Sequence, residues 1–212
     1  MAKVTLKAGA LLAPLPPVMV STSKDGKNNI ITVAWTGILN TIPPKTYVSV
    51  RESRHSYSMI RDTGEFVINL TPSSLVYAAD YCGMFTGAKK DKFKECHLTP
   101  EPSEFVSVPG IAECPVSLEC RVCGIKEMGT HHVFEADILG VRVDEALLDK
   151  NGRLCIERAK LAAYAHGEYF ELGRKLGKFG FSAAKKKNRS PKRERSGSAA
   201  EKKSVPSKKK QK

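Results

Sequence analysis

Between residues 18 and 143, apolar and polar side chains alternate in short runs broken by Gly, Pro, Asn and Asp. This is the pattern of strands with a buried face. Val18 to Ser23 (VMVSTS) predicts a first strand, ended by a turn at Lys24-Asp25-Gly26-Lys27-Asn28. Asn29 to Gly37 (NIITVAWTG), rich in β-branched residues, predicts a second. Pro43 and Pro44 precede a third, Thr46 to Arg51, and Glu65 to Leu70 (EFVINL) makes a fourth. From Ser53 to Asp62 a short helix is expected, with Met59 and Ile60 on its inner face, Ser53 as N-cap and Gly64 as its end. A second helix should start at Ser73 or Ser74 and run to about Tyr81. Two long strand patterns, Val116 to Met128 and His131 to Val143, meet at Gly129-Thr130 and predict a β-hairpin. Asn151-Gly152 marks another turn, a short element holds Leu161 to Tyr164, and GEYFELGRKLGKFGF closes the domain. There are no internal repeats. Short antiparallel strands with few helices predict a mainly β fold, a barrel or sandwich rather than a parallel α/β sheet.

The length of 212 residues suffices for one domain with a sizeable core. The formal net charge of +13 suggests a polyanion partner until it is located. Residues 183–212 hold ten Lys, three Arg and two Glu, so +11 belongs to them and +2 to the other 182. Val205 is the one apolar residue larger than Ala in that segment, which predicts a folded domain over 1–182 and a disordered basic tail over 183–212. Such a tail can hold nucleic acid or acidic lipid by charge, without aromatic rings to stack on bases. The uncharged run Ala8 to Ser23, 16 residues with Pro14, Pro16 and Pro17, is too short to span a bilayer and too broken for a signal-peptide core. Six cysteines without an export signal suggest reduced thiols and a cytoplasmic protein. Cys120 and Cys123 have the spacing of a metal or redox pair, but on a strand they point to opposite faces. His131-His132 has no third ligand nearby in sequence, so no metal site is expected.

Three stretches could carry chemistry. In CGMFTGAKKDKF, Cys82 to Phe93, Thr86-Gly87 offers a hydroxyl and a flexible N–H, and Lys89, Lys90 and Lys92 offer charge to a phosphate. No Gly-Lys-Ser/Thr triplet follows, and the spacing is not that of a dinucleotide fingerprint. Taken locally, a solvated loop is the better reading. In TVAWTG, Thr32 to Gly37, the single tryptophan, Trp35, is either a core aromatic or a flat wall for a planar ring, with Thr36 at its edge. In VRESRHSY, Val50 to Tyr57, Ser53 opens a helix beside Arg51 and Arg54 and is either a plain cap or part of an anion site. A Gly-x-Ser-x-Gly elbow and a His-Glu-x-x-His helix are both lacking, and Cys82 has no evident activating base.

In order, PLPPVMVST, NIITVAWTG, PPKTYVSVRESRHSY, GEFVINL, ADYCGMFTGAKKDKF, the long hairpin and the closing YFELG resemble the flavin reductase-like proteins, and among them the flavoredoxin branch. The resemblance runs from Pro14 to Phe181. It implies an FMN-binding split β-barrel with a few short peripheral helices, one FMN per subunit, and a homodimer. It places Trp35 and Thr36 at the isoalloxazine, Ser53 and Ser56 at the ribityl chain or phosphate, and Thr86, Gly87 and Lys92 at the phosphate. His131 and Tyr164 would approach the flavin from the same subunit or across the dimer. Thr86 stands where relatives commonly have Ser, and Ala88 where many have a basic residue, so phosphate charge would rest on Lys92 with help from Lys89 or Lys90. The implied function is an FMN-dependent oxidoreductase with the chemistry carried by FMN. It would take hydride from NAD(P)H or carry electrons between redox proteins. A second reading, from another class, is a nucleic-acid or polyanion binder acting through its basic tail, with the barrel as scaffold.

Overall fold

In the computed structural model, which describes residues 1–183, strand β1 (Val18–Lys24) turns back through Asp25 and Gly26 into β2 (Lys27–Val33). Both turn residues have positive φ, 50° and 73°, as a tight hairpin whose twist matches its strands requires. The basic tail expected over 183–212 lies, apart from its first residue, outside the described residues. Met1–Lys175 make up one unit and Leu176–Lys212 a second.

The strand expected over Asn29–Gly37 is in fact two. β2 stops at Val33, Ala34 and Trp35 bend, and β3 (Thr36–Thr41) pairs with β4 (Pro44–Val50) instead of β1. Backbone bonds hold the bend: Ser49 N donates to Trp35 O at 2.9 Å and Thr36 N to Ala34 O at 3.1 Å. β-branched residues on both sides hide the break from any propensity argument.

The main sheet has the order β2-β1-β5-β8-β9-β4-β3, with β5 at Glu65–Asn69, β8 at Val116–Glu127 and β9 at His132–Val143. All six pairings are antiparallel. Its two edge strands, β2 and β3, are consecutive in the chain and separated only by Ala34-Trp35. So short a link obliges the sheet to curl until its edges meet at that point. Elsewhere they are not hydrogen-bonded, and the barrel stays open. The mainly β expectation holds, as does the hairpin.

Both faces of the barrel wall are covered. Val18, Val20, Ile31, Val33, Phe66, Ile68, Phe134 and Ala136 fill the interior. Met19 and Ile30, one position out of phase, pack outward against Ala78, Ala79, Cys82, Phe93 and Leu98. This second layer comes from helices α2 (Val76–Met84) and α3 (Lys92–Glu95) and their flanks. α2 follows a 3₁₀ turn at Ser73–Leu75 and runs three residues beyond the expected Tyr81. The first three residues of CGMFTGAKKDKF are therefore helical, not loop. Helix α1 (His55–Thr63) ends as expected at Gly64, which has φ 69° and donates its N–H to Ile60 O at 2.8 Å. Its N-cap is Arg54 rather than Ser53, without a side-chain cap bond. Ser53 is left in the preceding turn.

Two shorter pairs complete the fold: β6 (Pro100–Glu101) with β7 (Gly110–Ile111), and β10 (Ala162–Ala165) with β11 (Glu168–Glu171). On β8, Cys120 is buried and Cys123 exposed, as opposite faces of a strand demand. No helix among the described residues is long and apolar enough to cross a membrane.

Asn69 of the Gly-Glu-Phe-Val-x-Asn run is fully buried and uses both ends of its amide. Nδ2 donates to Met19 O (2.9 Å) and Ser21 Oγ (3.1 Å); Oδ1 accepts from Ile111 N (3.0 Å) and Ser117 Oγ (2.8 Å). It ties β1, β5, β7 and β8 together. Asn69→Leu leaves those groups unpartnered and is expected to cost about 2–4 kcal/mol of stability. A urea midpoint unchanged from the parent would refute this role.

Candidate functional site

Where β2, the turn into α1 and the loop before α3 converge, a cavity of about 70 Å³ opens. Its walls include Asn29, Ser53, Arg54, Ser56, Thr86, Gly87 and Lys92. Five of these are residues the sequence placed at a phosphate or ribityl chain. Arg54 stands in the turn the sequence also offered as an anion site, and Asn29 is an addition.

Lys92 is the decisive side chain. Only 3 % exposed, it donates Nζ–H bonds to Ile30 O at 2.6 Å and Cys82 O at 2.8 Å. An ammonium has three donors, so one remains for the cavity. Burial is the main cause that draws its pKa down from 10.5 to about 8, with Arg54 adding repulsion against the nearby Cys82. The fold thus holds a cation in a place that lacks a counter-ion among the described residues. Local structure explains the inward turn. Asp91 Oδ1 accepts from Lys94 N at 3.2 Å and starts α3 at Lys92, while Lys89 and Lys90 stay exposed on the preceding loop. Lys90 pairs with Glu95.

Asn29 is 4 % exposed. Its Nδ2 lies 2.7 Å from Ser56 Oγ, but its Oδ1, fully buried, has no partner. Gly87 presses against the same amide: a Cβ on Gly87 would sit 2.0 Å from Asn29 Oδ1. The close approach accounts for the glycine, whose φ lies outside the left-handed region. Thr86 Oγ1 accepts from Ala88 N at 3.3 Å, which keeps its own proton free. Cys82 also lines the cavity, but burial pushes its thiol up to about 12, so it is no nucleophile there.

A second cavity, about 290 Å³, lies between the end of β2 with its Ala34-Trp35 link and the end of β4. Trp35, Val33, Ala34 and Ile31 form one side, and Ser49, Val50, Arg51, Arg54 and His131 the rest. Ile31 and Arg54 line both cavities, which are therefore neighbours. Trp35 is 38 % exposed, which settles its place as a wall of the cavity rather than part of the core. Burial, then Arg51 and Arg54, lower the pKa of His131 and favour its neutral form at neutral pH. His132 is separate: its Nδ1 is 2.7 Å from the Tyr57 hydroxyl.

Two expected site residues are not brought here. Thr36 is buried and donates its hydroxyl proton to Tyr47 O at 2.5 Å, which closes the β3–β4 pairing. Tyr164 lies on β10, bridged to Leu15 and edge-on to Tyr169, and lines neither cavity. Asn29 went unassigned in the sequence, although it opens the Asn-x-x-Thr-x-Ala-Trp-x-Gly run. Its role depends on α1 and the 86–92 loop arriving from elsewhere.

Among solved structures, the flavoredoxin of Desulfovibrio vulgaris (Miyazaki F) is 32 % identical, with a TM-score of 0.81 over 86 % of this chain and 100 % of that one. The flavoredoxin of Methanosarcina acetivorans is 27 % identical, with a TM-score of 0.78 over 87 % of this chain and 100 % of that one. An uncharacterized protein of Aquifex aeolicus is 30 % identical over 166 residues, 76 % of this chain and 85 % of that protein. Residues 12–173 match the flavin reductase like domain, the fold agrees with that of its flavoredoxin neighbours, and the chain belongs to the flavin reductase-like family.

Proposed function

We propose that the chain is an FMN-binding redox protein, with the 70 Å³ cavity as phosphate site and the 290 Å³ cavity as ring site. The observation that carries this reading is Lys92, buried with one donor to spare and no ion-pair partner among the described residues, beside a buried amide whose Oδ1 has no partner. A phosphate dianion supplies the acceptor that the spare Lys92 donor lacks, and it can accept from the Asn29 amide once that amide is turned. Turning the Asn29 amide by 180° preserves its bond to Ser56, because a hydroxyl both donates and accepts, and directs Nδ2–H toward the anion. The Thr86 hydroxyl, the Gly87 backbone, Ser53 and Arg54 complete the set of donors.

FMN, when bound, supplies the redox chemistry. The protein's residues bind and orient it. Trp35 offers an aromatic face to the ring, while Arg51, Arg54 and neutral His131 give the cavity a positive, hydrogen-bonding rim. Nothing in this arrangement requires a protein nucleophile. Either NAD(P)H or a redox protein can be the electron donor, and anaerobic addition of NADH and NADPH to the reconstituted protein separates these. Bleaching of the visible bands selects a pyridine nucleotide. The exposed Ile38, Leu39 and Ile42 on the β3–β4 edge hairpin support a homodimer, and the six unpaired cysteines support a reducing, cytoplasmic setting.

The direct test is reconstitution with FMN followed by desalting and a visible spectrum. A protein that stays colourless and shows no calorimetric FMN binding rejects this reading. Trp35→Ala is expected to weaken FMN and riboflavin alike, each by about tenfold, because the lost stacking involves only the ring they share. A loss confined to FMN would contradict the ring-site placement.

A further inference from the structure

The last turn of α2 and the end of α3 meet side by side, and the register of that contact brings two thiols together. The Tyr81 hydroxyl donates to the Glu95 carboxylate. One residue on from each, Cys82 and Cys96 face one another. Both belong to the layer packed outside the barrel wall, and their thiols are in hydrogen-bonding contact. Neither is in a disulfide; Cys82 is fully buried and Cys96 half-buried. Such a pair needs only a small approach to reach the S–S bond length of about 2 Å.

Lys92 connects this pair to the phosphate site. Its ammonium donates to Cys82 O at 2.8 Å, and its carbonyl accepts from Cys96 N at 3.1 Å. Cys82 also lines the 70 Å³ cavity. Helix α3 is a single turn, Lys92–Glu95, so Cys96 at its end cannot move far without carrying Lys92 at its start. The other acceptor of the ammonium, Ile30 O, belongs to β2 and stays behind. Drawing Cys96 onto Cys82 therefore shifts Nζ relative to the carbonyls that aim its spare donor. A charge-assisted hydrogen bond is short and directional, and it weakens when its donor is displaced.

We propose that Cys82 and Cys96 form a reversible disulfide, and that this oxidation weakens the binding of FMN through Lys92. The effect on FMN rests on the reading above; the bond itself does not. The oxidant is a small-molecule disulfide of the glutathione class. Burial pushes the Cys82 thiol up to about 12 and raises that of Cys96 as well, so the less buried Cys96 reacts first. Its thiolate attacks one sulfur of the small disulfide, and a mixed disulfide forms as one small thiolate leaves. Cys82 then gives up its proton, attacks Cys96 Sγ and expels the second small thiolate. The protein dithiol is oxidised, the small disulfide is reduced to two thiols, and the two protons of the dithiol pass to them. By linkage, bound FMN resists the oxidation by the same factor by which oxidation weakens FMN.

The test equilibrates the flavin-free full chain with mixtures of glutathione and its disulfide. Free thiols are then alkylated, the peptides mapped by mass, and FMN and riboflavin affinities measured on the same samples. A Cys82–Cys96 disulfide is expected, with FMN affinity lowered about thirtyfold and restored by dithiothreitol. Riboflavin should change by less than about threefold, which also shows that the oxidised chain is folded. Cys96→Ser should bind FMN as the reduced parent does and keep that affinity under oxidation. The proposal is overturned if Cys82 and Cys96 stay reduced while the exposed Cys123 is glutathionylated, or if the disulfide maps to Cys114 instead. It is also overturned if the Cys82–Cys96 bond forms with FMN affinity unchanged, or if Cys96→Ser loses FMN on oxidation as the parent does. In each of these cases the reduced parent still binds FMN and the FMN reading stands. A reduced parent that binds no FMN removes that reading and the coupling with it.

Discussion

In Lys92→Met, FMN affinity falls by about a hundredfold, while riboflavin affinity stays within about threefold of the parent. The two ligands share a ring and a ribityl chain and differ in the phosphate, so their ratio isolates the contact with Nζ. Methionine preserves most of the length and apolar volume of the lysine stem and removes the buried charge. Riboflavin binding in the variant serves as the control for folding. Equal losses for both ligands would return Lys92 to a structural role, bonded only to Ile30 O and Cys82 O.

The depressed pKa of Lys92 gives the same contact a pH signature. In the unliganded protein the ammonium begins to lose its proton at about 8, whereas a bound dianion favours the charged form. Binding then takes up a proton above that value, and FMN affinity should fall by up to about tenfold per pH unit as pH rises from 8. Riboflavin should show no such slope, nor should FMN with Lys92→Met. Folding has the opposite sign. The unfolded chain keeps the proton up to 10.5 and so binds more protons than the native state between about 8 and 10.5, where flavin-free stability rises with pH.

How much of this was legible in the sequence varies with the range of the interaction. The strands, the hairpin and the Gly64 stop follow from side-chain period and turn chemistry, which are local. Ser53 was misplaced as the N-cap because Ser is the better capping residue, but Arg54 N donates to Arg51 O, and that turn postpones the helix to His55. The Ala34–Trp35 break was invisible, since only Ser49 from β4 identifies it. In CGMFTGAKKDKF, three lysines of one type separate into one buried and two exposed. The Asp91 cap that sets the rotation can be read locally, but the carbonyls that receive Lys92 belong to β2 and α2. Thr36 illustrates the reverse case: a hydroxyl beside Trp35 is plausible at a flavin edge until Tyr47 O takes it.

Gly87→Ala should weaken FMN binding by about thirtyfold or more and lower stability by roughly 1–3 kcal/mol, through one added methyl. A Cβ there would fall 2.0 Å from Asn29 Oδ1 and 2.5 Å from its Cγ, well inside contact distance. The neighbour is a side chain, so it could move in principle. However, Asn29 is buried, bonded to Ser56 and set in the middle of β2, and any movement of its amide carries a donor away from the anion. The backbone conformation of Gly87 is open to alanine, so space alone is at stake. This distinguishes the substitution from one that strains φ, and it specifies a rescue. Adding Asn29→Ala to Gly87→Ala removes the collision and should restore the stability lost to crowding, giving a favourable coupling between the two sites. It should not restore FMN affinity, because the donor is gone. If both stability and affinity return in the double variant, Asn29 was an obstacle and not a ligand. If Gly87→Ala binds FMN as the parent does, the loop yields freely and does not form the floor of the phosphate site.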